Sequence, residues 1–306
     1  MAKGISMAEE LTIRRTDRHT LPDDRPLPPT ESIEYLQADR RRREHRGSFG
    51  YRLRPNGRTM FRATPRTALI TRCDLKQIFH LNLDDREYVA SPLQTFPTRE
   101  ETLARAAASG QLVAARQRKP TVLVETETVD TGERKEVFGR TARHVVTTTR
   151  IIPLAGAKRG ADTTGTDGWY IDLNTQISCE PSWRSAPSGH AFLTVHQEGE
   201  EGDVPTFKDI GEPERGFAVA SKRTSSGTIT LPDGSTRQHV STWEMEVIEL
   251  STAAIDPALF EIPSGFRLVE RVRQEPVPPL VIRLKQAYER LVHRRSRSSA
   301  PPPESP

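Results

Sequence analysis

Thr121 to Pro153 reads TVLVETETVDTGERKEVFGRTARHVVTTTRIIP, and this stretch decides the fold class. β-branched residues crowd both arms. Val122, Val124, Thr126, Thr128 and Val129 precede Asp130-Thr131-Gly132-Glu133; Val137, Val145, Val146, Thr147, Thr148 and Ile151 follow it. Such residues suit a pleated, half-buried surface. Thr-Gly inside a polar tetrad supplies the φ > 0 position that a reversal needs. The reading predicts two long antiparallel strands that turn at Asp130-Thr131-Gly132-Glu133. Charged residues are interspersed with apolar ones, so one face is predicted to be wet, and nothing in the stretch is catalytic.

Working outward, Ala68 to Ala90 reads as a second hairpin that turns at Asp84-Asp85. Phe79, Leu81 and Leu83 alternate there with Ile78, His80 and Asn82. Glu10 to Arg18 can be a first strand. The prolines from Leu21 to Pro29 exclude a central strand, because they donate no ladder hydrogen bond. Glu31 to Arg43 reads as a strand with Ile33 and Tyr35 on one face, ending in an arginine run. Ala155 to Asp167 is Gly/Thr-rich and reads as a flexible loop, after which the sheet resumes at Gly168 with Trp169, Ile171 and Leu173 on one side. Phe217 to Arg223 and Thr228 to Leu231 read as short strands. Thr236 to Leu250 is the last long strand, presenting Trp243, Met245 and Val247.

Helix signals are few. Thr98 and Glu101 form a capping box ahead of an alanine-rich turn that Gly110 can end. A second helix is predicted from about Pro279, with Leu280, Leu284, Ala287 and Leu291 on one seam and Arg283, Arg290 and Arg294 flanking it. The expected fold is mainly β (α+β): a curved antiparallel sheet or unclosed barrel around a short helix, with a C-terminal amphipathic helix. Residues 1–9 are expected to be loose, 10–270 to form a single half-barrel domain, 271–295 a proline connector and basic helix, and 296–306 a disordered tail.

The chain has 306 residues, of which 34% are hydrophobic. That is low, and it points to long solvated stretches around a modest core. No apolar run approaches the ~20 residues that span a bilayer, and the first residues lack the apolar core of a secretory signal. Net charge is +4 with a pI near 9.2. The excess is local, in Arg40, Arg41, Arg42 and Arg43 and again in Arg290, Arg294 and Arg295. It reads either as a footprint on an anionic membrane or nucleic acid, or as a solvated strand end and a basic tail. Cys73 and Cys179 are too far apart in sequence for a CxxC motif. In an oxidising compartment they could pair across the sheet; in a reducing one they are two buried thiols.

Enzymatic motifs are missing. Ser188-Gly189-His190 is not the G-x-S-x-G elbow of a serine hydrolase, and there is no Walker loop, Rossmann fingerprint or H-E-x-x-H helix. The eight histidines are scattered, whereas zinc needs three or four converging ligands. The expectation is a non-enzymatic protein with no cofactor and no metal. His144 reads either as a proton-responsive or ligand-contacting group, or as a strand residue bonded across the sheet. Phe79, Phe138, Trp169, Trp243 and Met245 read either as the lining of a concave ligand cavity or as core.

Four stretches carry a resemblance: Thr71–Leu93, Val124–Ile151, Asp167–Leu173 and Pro257–Val269. Together they resemble an uncharacterised family of bacterial envelope proteins related in fold to the LolA/LolB lipoprotein carriers. The best-matched motif is the closing D-P-x-x-F-x-x-P-x-G-F, here Asp256, Pro257, Phe260, Pro263, Gly265 and Phe266. The resemblance implies an unclosed antiparallel barrel with a helix in its concavity, and export across the inner membrane. The expected function is binding of an apolar or lipid-like ligand, or of an envelope protein partner, in the concave sheet. The alternative is an interaction module that meets an anionic surface through its arginine clusters.

Overall fold

The computed structural model describes residues 10–20, 26–46, 49–53, 59–93, 119–179, 203–230 and 236–272. Its strands, in chain order, are β1 (Leu11–Thr20), β2 (Thr30–Gln37), β3 (Arg40–Arg46), β4 (Phe49–Leu53), β5 (Thr59–Ala63), β6 (Thr67–Arg72), β7 (Gln77–Asn82), β8 (Glu87–Pro92), β9 (Val122–Val137), β10 (Arg140–Pro153), β11 (Asp162–Ile171), β12 (Pro205–Ile210), β13 (Phe217–Thr230), β14 (Thr236–Ser251) and β15 (Arg267–Leu268). Among the described residues the helical content is a 3-10 turn, Pro257–Phe260. The helix expected at Thr98–Gly110 and the C-terminal helix both lie outside the described residues.

Thirteen strands form one unclosed sheet in the order β12-β9-β10-β11-β13-β14-β1-β2-β3-β6-β7-β8-β15, while β4 and β5 pair by themselves. All neighbours are antiparallel except at the two edges. There β12 runs parallel to β9, and β15 runs parallel to β8. The sheet is therefore mixed. Pairing of β1 with β14 joins the first-half strands to the second-half ones.

The opening stretch is a strand pair, but its reversal is not where the sequence suggests. β9 runs through Asp130-Thr131-Gly132-Glu133, and the chain turns at Phe138-Gly139, with φ of +53° and +69°. Two positive-φ residues in a two-residue loop match the right-handed twist of the flanking strands. Across the ladder Arg143 pairs with Arg134 and Val145 with Asp130, so Thr131, Gly132 and Glu133 together oppose His144. The polar tetrad is a bulge, and its chemistry resembles a turn because both need a φ > 0 glycine; Gly132 has φ +84°.

Three further elements differ from the sequence reading. Asp162 to Asp167, read as part of a loop, belongs to β11, which pairs on both sides, with β10 and β13. Phe217 to Thr230 is one 14-residue strand rather than two short ones. Glu31 to Arg43 is two strands, folded back at Ala38-Asp39 so that Gln37 pairs with Arg40.

β12 is held against β9 partly by Gly211, which has φ +81° and sits so close to the Thr128 carbonyl that a Cβ would collide with it. Gly211→Ala is expected to cost about 1–3 kcal/mol, since it adds strain to a steric clash. Faster amide exchange confined to β12 and its β9 partners would register it.

Alternate side chains point to opposite faces of a strand, and in β1–β3 and β6–β7 each face has its own cover. One face carries Leu11, Ile13 and Leu36. These residues join Met245, Val247, Val219, Ile171, Ala142 and Ile177 in a buried cluster. The other face carries Ile33, Ala68, Ile70, Phe79 and Leu81. It is covered by the segment containing Ile255, Leu259, Phe260, Ile262 and Phe266. Asp256 caps the 3-10 turn by accepting from Ala258 N at 2.9 Å, Pro257 presets its first residue, and Phe260 is fully buried. Glu10 accepts from Ile255 N at 2.7 Å and ties this segment to the start of the sheet.

Candidate ligand-binding face

The arginine run of β3 lies inside the sheet, with Arg41 8% and Arg42 5% exposed. Strand alternation sends neighbouring arginines to opposite faces, and each anchors the segment that covers its own face. On the Leu11 face, Arg41 Nη2 donates to the Thr175 carbonyl. On the Ile33 face, Arg42 Nη1 donates to the Leu259 carbonyl at 2.8 Å and Nε to Glu44 Oε1 at 2.7 Å. Arg72, on the same face, donates to Asp74 at 2.7 and 2.8 Å and to Glu261 at 2.5 Å. Arg40 pairs with Asp74 at 3.3 Å. The run is thus neither a solvated strand end nor, for Arg41 and Arg42, a surface that an anionic membrane can reach.

Glu34 is the hub of the Leu11 face. Its side chain is 4% exposed and meets three guanidinium groups: Arg15 Nη2 at 2.6 Å, Arg41 Nε at 2.9 Å and Arg43 Nη2 at 3.1 Å. Burial alone would raise the Glu34 pKa, but the attraction of Arg43, Arg15 and Arg41 outweighs it and holds the carboxyl below its ordinary range. Asp74 is held down at about 2, chiefly by its hydrogen bonds from Arg72. A carboxyl whose pKa is lower folded than unfolded adds stability that is complete above its unfolded value and lost as pH falls through the folded one. Because burial also holds the folded-state pKa of His45 below its ordinary value, the urea midpoint is expected to begin falling below about pH 6.5 and to fall steeply between about pH 5 and about pH 2. A midpoint that rises on acidification would contradict this.

Beyond Glu34 the Leu11 face becomes half-buried and mixed. The Arg15 guanidinium sits 5.3 Å from the centre of the Phe217 ring, a cation–π placement. Trp243, directly opposite His19 in the ladder, packs against the apolar cluster with its ring 6.2 Å from the imidazole. Met245 lies opposite Asp17 and is 6% exposed. Burial raises the Asp17 pKa and lowers that of His45, which Arg43 lowers further. Both shifts reflect a site poor in water.

A second feature is a depression of about 240 Å³ whose lining includes Arg18, Asp167, Trp169, Lys222 and Glu244. Register puts Asp167, Lys222, Glu244 and Arg18 in one row across four strands, with charges alternating in sign. Lys222 pairs with Glu244 at 3.1 Å, and both are about half exposed. Exposed pairs of this kind are worth about 0–1 kcal/mol, and with Glu246 also in the lining the depression holds more carboxylates than cations.

At the edge of this depression His144 is stacked on Trp169, ring centres 4.9 Å apart, and Lys135 Nζ lies 4.0 Å from the centre of the same indole. His144 Nε2 is 2.8 Å from Asp167 Oδ1, and its Nδ1 is 3.0 Å from Thr131 Oγ1. The bulge places that hydroxyl there. His144 is the cross-strand-bonded residue of the two sequence readings, and Trp169 is occupied by its own neighbours.

Of the five residues expected to line one cavity, three come together: Met245 belongs to the Leu11 cluster, Trp169 and Trp243 pack against it, and Trp169 and Met245 both border the depression, while Phe79 and Phe138 stand apart. Phe79 belongs to the cluster under Phe260 and meets Tyr88 at 6.5 Å. Phe138 is 40% exposed at the hairpin tip. Trp243 and Met245 share the Leu11 face, and Trp169 borders the charged depression. Arg290, Arg294 and Arg295 lie outside the described residues. Cys73 and Cys179 form a disulfide with Cα atoms 5.4 Å apart, fastening the segment after β11 to the β6–β7 turn. Ser178 N donates to Asp39 Oδ1 beside it at 3.3 Å. No group of three or more His, Cys, Asp or Glu side chains suited to a metal occurs among the described residues.

No family model and no curated protein matches the chain. Arg15, Glu34 and Glu44 escaped the sequence reading, which took charges in strands as solvent-facing.

Proposed function

We propose that the protein is a non-enzymatic binder of an apolar ligand, held on the Leu11 face of an unclosed sheet in the cell envelope. The observation that carries this reading is that two aromatic rings at separate margins of the Leu11 cluster, Trp243 and Phe217, are half-buried. Two aromatic rings there combine apolar area with partial access, which a filled core does not offer. The Cys73–Cys179 disulfide supports an oxidising compartment.

An environment-sensitive apolar dye, titrated into the native protein and two variants, tests the reading. Trp243→Asp is expected to weaken dye binding at least tenfold, because a carboxylate would replace apolar contact area. Phe138→Asp, at the hairpin tip away from this face, is expected to leave binding unchanged. Equal loss in both variants, or in neither, would remove Trp243 from the site.

A further inference from the structure

The charges on the Leu11 face of β1, β2 and β3 do not balance. Arg15, Arg41 and Arg43 stand against two carboxylates, Glu34 and Asp17. Arg41 is consumed by structure, since it pairs with Glu34 and also holds the Thr175 carbonyl. Arg15 and Arg43 are different. Each gives one Nη2 to Glu34, and their side chains remain 26% and 34% exposed. A guanidinium carries five N–H donors in a planar fork, so both have donors left over. They converge on the two oxygens of one carboxylate, Arg15 on Oε2 and Arg43 on Oε1, so the two forks are neighbours.

Half-burial makes this surplus matter. An uncompensated charge in a water-poor site is costly, and an anion entering it gains charge-assisted hydrogen bonds about twice as strong as neutral ones. The flanking groups are apolar: Phe217 under Arg15, with Met245 opposite Asp17 and Trp243 opposite His19. An anion with an apolar tail would satisfy both halves of this surface. The alternating row Asp167, Lys222, Glu244 and Arg18 offers no such surplus.

We infer that Arg15 and Arg43 form the receptor for an anionic head group, a carboxylate or a phosphate, carried by the apolar ligand. This rests on the binding function proposed above. The head group lies between the two guanidinium forks, and the tail runs along β14 past Met245 toward Trp243. Glu34 holds the two forks side by side and offsets their mutual repulsion.

Calorimetric titration of the full chain with dodecanoate, dodecyl phosphate and dodecanol tests this, because the three share a tail and differ in head group. At least one of the anions is expected to bind roughly tenfold or more tightly than the alcohol. Arg43→Gln should bring that ratio close to one, and Arg43→Lys, which keeps charge but loses the fork, should fall between. Competition by inorganic phosphate marks a phosphate site; preference for dodecanoate without such competition marks a carboxylate site. Equal affinity for all three in the native protein would overturn the inference and leave apolar binding standing. Binding of none would overturn both. The native comparison decides the matter even if a variant fails to fold.

Discussion

Glu34→Gln is expected to destabilise the protein by about 3–5 kcal/mol, the usual cost of removing one partner from a buried ion network. The reason lies in numbers and burial. One carboxylate, 4% exposed, stands against three guanidinium groups within 3.1 Å. Its loss leaves Arg15, Arg41 and Arg43 repelling one another, with Asp17 as the remaining acid of that face in β1–β3. Arg41 also fastens the segment after β11, so the damage should spread to the packing of Ile177. Chemical denaturation should show a lower midpoint in Glu34→Gln, partly restored when Arg43→Gln is added. Such non-additivity is the signature of groups that act as one network. Additive losses would mean that Glu34 and Arg43 are independent, against the 3.1 Å contact between them.

Removal of the disulfide should have a comparable effect. Cys73 and Cys179 are 106 residues apart in sequence, and the bond closes β7 to β11 into one loop. Loop-closure entropy for a span of that size is about 4.7 kcal/mol, and measured values for native disulfides run about 2–5 kcal/mol. Cys73→Ser with Cys179→Ser is therefore expected to lower the melting temperature by on the order of 10 °C. Reductant should lower the native protein by the same amount and leave the double variant unmoved. A native melting temperature that ignores reductant would show that the bond does not form in the purified protein.

The strand content was legible because local signals agree with it. Val122, Val124 and Thr126 alternate as a half-buried strand must, and all three are buried. The Asp84-Asp85 reversal was legible for a similar reason: the turn residues there satisfy one another, with Asn82 Oδ1 accepting from Asp84 N and Asp85 N. Phe138 was not legible as a turn residue, since no propensity argues for an aromatic side chain at φ +53°. β12 was missed because its parallel pairing with β9 is non-local, and its six residues show no apolar alternation of their own.

The charged face hid for a different reason. Each arginine of β3 looks solvated when its strand is read alone. The short reversal at Ala38-Asp39 then fixes Glu34 opposite Arg43, and the β1–β2 register sets Ile13 beside Glu34, with Arg15 two residues further on. Pairing three strands on paper would have exposed the cluster. The closing motif was readable as sequence but not as a role: Phe260 and its neighbours turn out to seal the Ile33 face.

The account stands or falls on whether this face carries a ligand. Organic extraction of protein purified from its native source, followed by mass spectrometry, measures that directly. The account predicts a molecule with an apolar tail and an anionic head group at near-equal molar ratio to the protein, depleted in Trp243→Asp and retained in Phe138→Asp. An empty extract from protein that also fails to bind dodecanoate, dodecyl phosphate and dodecanol would contradict it.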